Sequence, residues 1–253
     1  MQLPDLVDRP DLKFPKFVPH NPTLFSKNTN IFERISLQDI LLHHPFQSFN
    51  PVLELLQAAA TDPCVFAIRM TVYRTGTDST LMQELVKAAK NGKEVNVVVE
   101  LMARFDEATN LSWAEQLEEA GVKVVYGIFG LKTHAKMLLI VRKEVDLQNH
   151  SSIGYLKFYS HVGTGNYHPR TAKMYTDFGL LTANQEIGAD IAALFMNLSS
   201  LGKPPKLKHI WQAPFSLHSN LMEQIEFEIT QAQSKRPAYL IAKMNSLLEH
   251  SLI

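Results

Sequence analysis

Apolar positions along this chain follow two spacings, and the spacings alternate. Pro51 opens the run Val52-Leu53-Glu54-Leu55-Leu56-Gln57-Ala58-Ala59-Ala60, which predicts a helix with proline at its first position. From Cys64 the pattern changes: Val65 to Tyr73 is β-rich, Ser79 to Lys90 is amphipathic and ends at Asn91-Gly92, and Glu94 to Leu101 packs Val95, Val97, Val98 and Val99 with little polar relief. A helix over Glu107 to Ala120, stopped by Gly121, precedes strands at Val122 to Tyr126 and at Ala135 to Val141, the last apolar except for Lys136. Strand, helix, strand, helix, strand implies a parallel α/β sheet with helices on its faces.

Outside this block the pattern is looser. Residues 1 to 31 hold five prolines and no sustained period, so they read as an irregular lead-in, and Ser36-Leu37-Gln38-Asp39 predicts the start of a short helix. Arg142 to Ser152 reads as a surface loop. Strands are expected at Leu156 to Val162 and Met174 to Leu181, then a helix from Gln185 to Asn197, a linker at Ser199 to Pro205 and a helix at Ser219 to Ala232. Arg236 to Met244 reads as the first strand of a second α/β unit, and the residues after it open an element without closing it. A chain that stops part-way through a second unit is the expectation.

Composition narrows the class. Across 253 residues, 45% are hydrophobic and 20% charged, which excludes low-complexity and strongly disordered chains. The single cysteine, Cys64, rules out an internal disulfide framework or a cysteine-based zinc cluster and suits a reducing compartment, the cytosol by default. No apolar run approaches the ~18 residues of a membrane span, and the N-terminus lacks the basic and apolar regions of a signal peptide. The 25 Lys and Arg balance 25 Asp and Glu, which argues against a surface that tracks nucleic acid. A local basic site is still compatible with zero net charge.

Three constellations carry chemistry. In Lys132-Thr133-His134-Ala135-Lys136, period 2 puts His134 and Lys136 on one face at the head of a strand, an imidazole beside an ammonium. That pair suits phosphate chemistry, because neutral imidazole can attack phosphorus while the cation holds phosphoryl oxygens; a strand-end histidine beside a lysine stem lying on apolar surface would look the same. Gly163-Thr164-Gly165-Asn166-Tyr167 follows a β-rich run, where glycines let backbone N–H groups approach an anion and Thr164 and Asn166 add donors, or simply make a turn. Arg74 and Arg104 end successive β-runs and meet His134 only if its strand is reversed relative to theirs. Among other residues, His43-His44-Pro45 reads as a turn, His209 and Trp211 as packing, His161 as a donor behind the glycine turn, and Asp106 and Glu107 as helix caps.

Taken together these stretches resemble the polyphosphate kinase family built on the phospholipase D-like fold. The resemblance rests on Thr71-Val72-Tyr73-Arg74, on Val97 through Glu107 with Glu100 and Arg104, on Gly130 through Lys136, on Gly163-Thr164-Gly165-Asn166-Tyr167 and on Tyr175-Thr176-Asp177-Phe178. It implies a mixed sheet flanked by helices, with one complete phospholipase D-like half and the start of a second. The domains then fall at 1–35 (tail of a preceding region), 36–200 (first catalytic half) and 201–253 (linker and truncated second half). It further implies Mg2+-dependent, reversible transfer of the terminal phosphate of ATP to inorganic polyphosphate, with ADP released.

In that family His134 would be the nucleophile that becomes phosphohistidine and Lys136 its partner. Arg74 and Arg104 would be phosphate and Mg2+-nucleotide contacts, reaching the metal through phosphate, and Tyr167 a nucleotide contact beside Gly163, Thr164 and Asn166. A homo-oligomer, with membrane association in full-length members, is also implied. The superfamily's HxK(x4)D pattern lacks its aspartate here, since Val141 stands in that place. Two other readings fit the residues: a non-catalytic polyphosphate- or nucleotide-binding remnant, and a dimeric phospholipase D-like phosphodiesterase, against which Val141 counts.

Overall fold

An apolar run becomes a strand when both faces of the sheet are covered, and the computed structural model shows how the two faces share each run. It describes residues 7–15, 17–22, 30–73, 79–100, 107–127, 130, 132–145, 154–200, 203–244 and 246–252. Strands β1 (Ile40–His43), β2 (Val65–Val72), β3 (Glu94–Val99), β4 (Lys123–Val125), β5 (Lys136–Val145), β6 (Gly154–Gly163) and β7 (Phe178–Thr182) form one sheet in the order β1-β7-β6-β5-β2-β3-β4. Pairs β2-β3 and β3-β4 are parallel; β2-β5, β5-β6, β6-β7 and β1-β7 are antiparallel. The sheet is therefore mixed, as the reversed His134 strand requires.

Helices α1 (Ile31–Leu37), α2 (Asn50–Thr61), α3 (Thr80–Lys90) and α4 (Glu107–Glu119) share a core with one face, and α5 (Gln185–Ser200) covers the other. Period 2 sorts β5 between them: Leu138 and Ile140 join the first core, while Met137 and Leu139 meet Ile191, Leu194 and Phe195 of α5. In β3, Val95, Val97 and Val99 face the first side and Val98 the second. Each such side chain, buried outright, contributes about 1.5–3 kcal/mol.

Local signals account for most boundaries. Ser79 caps α3 by accepting from the Met82 N–H, and Gly92, at φ +80°, turns the chain out of it. Several expectations are corrected. The helix placed after Ser36 begins earlier and contains it: Asn30 caps α1 through the Phe32 N–H, and Ile31, Phe32 and Ile35 enter the core, so these residues are no irregular lead-in. The loop expected from Arg142 begins later, because β5 continues to Val145; Arg142 is held there by Asp62 at 2.9 Å and Glu144 at 2.6 Å. Residues 146–153 lie outside the described residues. The strand expected from Met174 starts at Phe178, since Met174 closes a short 3-10 turn over Thr171–Lys173. Helix α6 (Leu217–Gln233) forms, but Arg236–Met244 makes no strand. It is coil with Tyr239, Leu240 and Ile241 exposed, and it pairs with none of the seven strands.

The directions matter for function. β2, β3 and β6 run one way and β5 and β7 the other, so the ends of the first three and the starts of the last two meet at one end of the sheet. Among the described residues no helix is long and apolar enough to cross a membrane.

Candidate active site

At that end of the sheet, antiparallel register places Lys136 opposite Gly163. Two signals far apart in sequence thus become neighbours. His134 stands just before β5 rather than in its ladder, exposed, while Lys136 begins the strand with 5% exposure. The expected shared face becomes a looser pairing: Lys136 Nζ donates to the His134 carbonyl at 2.6 Å. Both side chains meet Tyr73, whose ring lies edge-on to the His134 imidazole at 5.1 Å and 5.4 Å from Lys136 Nζ. Thr71, buried in β2, stitches the start of β5 by donating to the Ala135 carbonyl at 2.8 Å and accepting from the Met137 N–H at 2.9 Å.

Burial pushes the Lys136 ammonium down to about 8, and the negative charge of Asp177 resists that shift. Asp177 also accepts from Thr164 Oγ1 at 2.8 Å, and Thr164 in turn accepts from the Phe178 N–H, so the glycine turn is tied to the start of β7. Gly165 is required by space: a Cβ there would fall 2.6 Å from Asp177 Oδ2. On the far side of the turn His161 and Tyr167 are buried, Nδ1 2.9 Å from the phenol oxygen. Burial, with the nearby His44, holds His161 neutral, its pKa lowered to about 3.

Tyr167, expected as a nucleotide contact, packs its ring in the core at 2% exposure with its hydroxyl against His161. Tyr175, two residues before Asp177, is 55% exposed. Gly163, Thr164 and Asn166 stand where the motif suggested. Arg74 and Arg104 lie outside the described residues, as does the side chain of Glu107 and all of Asp106. His209 is paired with Glu186 at 2.9 Å.

Glu100 and Asp177 entered the sequence reading only within longer stretches and without a role of their own, and Asn110 was not singled out. Glu100 closes the β3 run, 5% exposed, with Oε2 accepting from the Thr133 N–H at 2.8 Å. A carboxylate terminating an otherwise apolar strand was the available signal. A cavity of about 480 Å3 opens beside His134, walled by Leu194, Leu198, Ile210, Trp211 and Phe215.

The sequence matches the family model described as polyphosphate kinase C-terminal domain 1 over residues 30–204, and that described as polyphosphate kinase C-terminal domain 2 over 210–253. The chain belongs to the polyphosphate kinase family. It is 56% identical over 253 residues to the polyphosphate kinase of Burkholderia cenocepacia (strain HI2424), covering 100% of this chain and 36% of that protein. To the polyphosphate kinase of Neisseria meningitidis serogroup C it is 54% identical over 251 residues, again covering 36% of the relative. The crystal structure of polyphosphate kinase from Porphyromonas gingivalis superposes with a TM-score of 0.83 at 32% identity, over 96% of this chain and 39% of that one. The chain thus spans little more than a third of the length of these polyphosphate kinases.

Proposed function

We propose that this chain carries the phosphohistidine-forming part of a polyphosphate kinase, with ATP and inorganic polyphosphate as substrates. The observation that carries the reading is the convergence of the His134 imidazole, the buried Lys136 ammonium and the Gly163–Asn166 turn at one end of the sheet. A ring nitrogen of His134 attacks the terminal phosphorus of ATP, the bond from that phosphorus to the bridging oxygen breaks, and ADP leaves. In the second step a terminal oxygen of polyphosphate attacks the same phosphorus and the N–P bond breaks, which restores the histidine and lengthens the polymer by one unit. Each step reverses by the same path.

The protein's part is positioning and charge neutralisation. Lys136 meets phosphoryl oxygens, the turn supplies N–H donors, and Arg74 and Arg104 are proposed as further phosphate contacts. Tyr167 is proposed as the nucleotide contact that the resemblance implies, beside Gly163, Thr164 and Asn166. Val141, buried in β5 five residues beyond Lys136, brings no carboxylate of the kind the phosphodiesterase pattern carries.

The resemblance also implies Mg2+. Among the described residues no three His, Cys, Asp or Glu side chains gather as a cage for it, and the groups at this end of the sheet mostly suit an anion. Mg2+ would arrive with the nucleotide phosphates, which is its usual habit, and no step is routed through it. The domain division proposed is a first catalytic half ending near residue 200, followed by a linker and a second region from about 201. For the whole protein, assembly as a homo-oligomer belongs to the same proposal.

Incubation with γ-labelled ATP tests the reading. The wild-type chain should acquire acid-labile, alkali-stable label, and His134→Ala should not. Label persisting on His134→Ala would overturn it.

A further inference from the structure

β2 and β3 are parallel neighbours, and their ladder ends where the Glu100 N–H donates to the Val72 carbonyl at 2.9 Å. One residue on, the carbonyls of Tyr73 and Glu100 have passed the last strand pair. Asn110, 1% exposed in α4, reaches both: its amide nitrogen donates to the Tyr73 carbonyl at 2.9 Å and to the Glu100 carbonyl at 3.0 Å. Glu100 extends the chain of bonds. Its carboxylate accepts from the N–H of Thr133, the residue before His134. Tyr73 closes it from the other side with its ring against the His134 imidazole.

Neither residue is a cheap way to fill this space. A buried carboxylate is costly unless compensated, and asparagine is among the weaker helix formers. What the pair provides is a fixed distance between two strand ends and the loop that presents His134.

We propose that Glu100 and Asn110 are positioning residues, which set the His134 imidazole against the ends of β2 and β3. This rests on His134 being the phosphorylated group. Transfer between nitrogen and phosphorus tolerates little displacement, and an error of ~1 Å can slow such a step ~100-fold. Loss of the brace should therefore slow phosphorylation while leaving the nucleophile in place.

The test is made on the full chain with Glu100→Ala, Glu100→Gln and Asn110→Asp. Three readouts are taken: the rate of His134 labelling by γ-labelled Mg-ATP, the NMR shifts of the His134 ring protons, which sense the Tyr73 ring, and Thr133 amide exchange. Glu100→Gln keeps an acceptor oxygen and should label within about threefold of wild type, with unmoved ring shifts. Glu100→Ala and Asn110→Asp should label at least about tenfold more slowly, shift the ring resonances and, for Glu100→Ala, speed Thr133 exchange. Should Glu100→Ala fail to fold, Glu100→Asp retracts the carboxylate by one methylene and should show the same losses.

Wild-type labelling in Glu100→Ala (or in Glu100→Asp if that variant takes its place) overturns the proposal, and so does Glu100→Gln as slow as Glu100→Ala. If the wild-type chain takes no label, the His134 reading fails instead, and the brace is judged by the NMR shifts alone: resonances that stay in place in Glu100→Ala and Asn110→Asp overturn it.

Discussion

With 5% of its surface exposed, Lys136 holds a charge where burial disfavours it, and its pKa falls to about 8 while Asp177 partly restores it. The unfolded chain keeps that proton to the ordinary lysine value of about 10.4, so between the two values it binds more protons than the folded chain and stability rises with pH across that window. Function should move oppositely. As pH climbs through about 8 the ammonium is lost, and His134 labelling should fall with an apparent pKa near that value. Lys136→Arg, which does not deprotonate, should carry the falling limb to higher pH; a limb unchanged in that variant would show that another group controls it.

Gly179 makes a second prediction at this scale. A Cβ there would lie 2.6 Å from His161 Nε2, on a ring already tied to Tyr167. Gly179→Ala should cost about 1–3 kcal/mol in urea unfolding, the usual range for overpacking. A loss below about 0.5 kcal/mol would mean that the ring yields.

Among elements, several contacts join α5 to the segment leading to α6, and Asp190 makes the most hydrogen bonds among them. The Asp190 carboxylate accepts from the backbone N–H groups of Lys208, His209 and Ile210 at 2.7 to 3.1 Å. Burial alone would raise its pKa, but these donors, with the charge of His209, outweigh burial and leave it below the usual aspartate value. A depressed carboxyl stabilises the fold above the unfolded value of about 3.9 and loses that contribution as pH falls through the folded value. Asp190→Ala should cost about 2 kcal/mol or more at neutral pH, with the gap from wild type narrowing as pH falls below the ordinary aspartate value of about 3.9. Equal unfolding free energies at pH 7 would sink the clasp.

Elements also show where sequence reading works. The β3 valines and the Ser79 cap are legible because each is local. Arg142–Val145 reads as loop because an alternation of charges looks solvated, whereas Asp62, from the turn after α2, ties Arg142 into the sheet. Arg236–Met244 reads as strand because β-propensity cannot say whether a partner ladder exists.

For the whole molecule, that unpaired segment is one exposed apolar liability among the described residues. Tyr239, Leu240 and Ile241 are 79%, 60% and 88% exposed, and Phe227 and Ile229 on α6 are exposed as well. Extended apolar backbone without a partner invites pairing between chains. Ile241→Lys should slow the growth of light scattering on concentration and leave the melting temperature unchanged; unaltered scattering would place the association elsewhere.

By itself, the sequence determined the alternation of strands and helices, the family, and the residue types able to handle phosphate, since these depend on spacing and side-chain chemistry along the chain. Only the tertiary structure decided which of them meet. The antiparallel β5 and β6 set Lys136 opposite Gly163, the core buried Tyr167 against His161, and the packing of α4 on the β2 and β3 ends enlisted Glu100 and Asn110. Register, burial and hydrogen bonds between residues distant in sequence are properties of the packed sheet, and no local pattern encodes them.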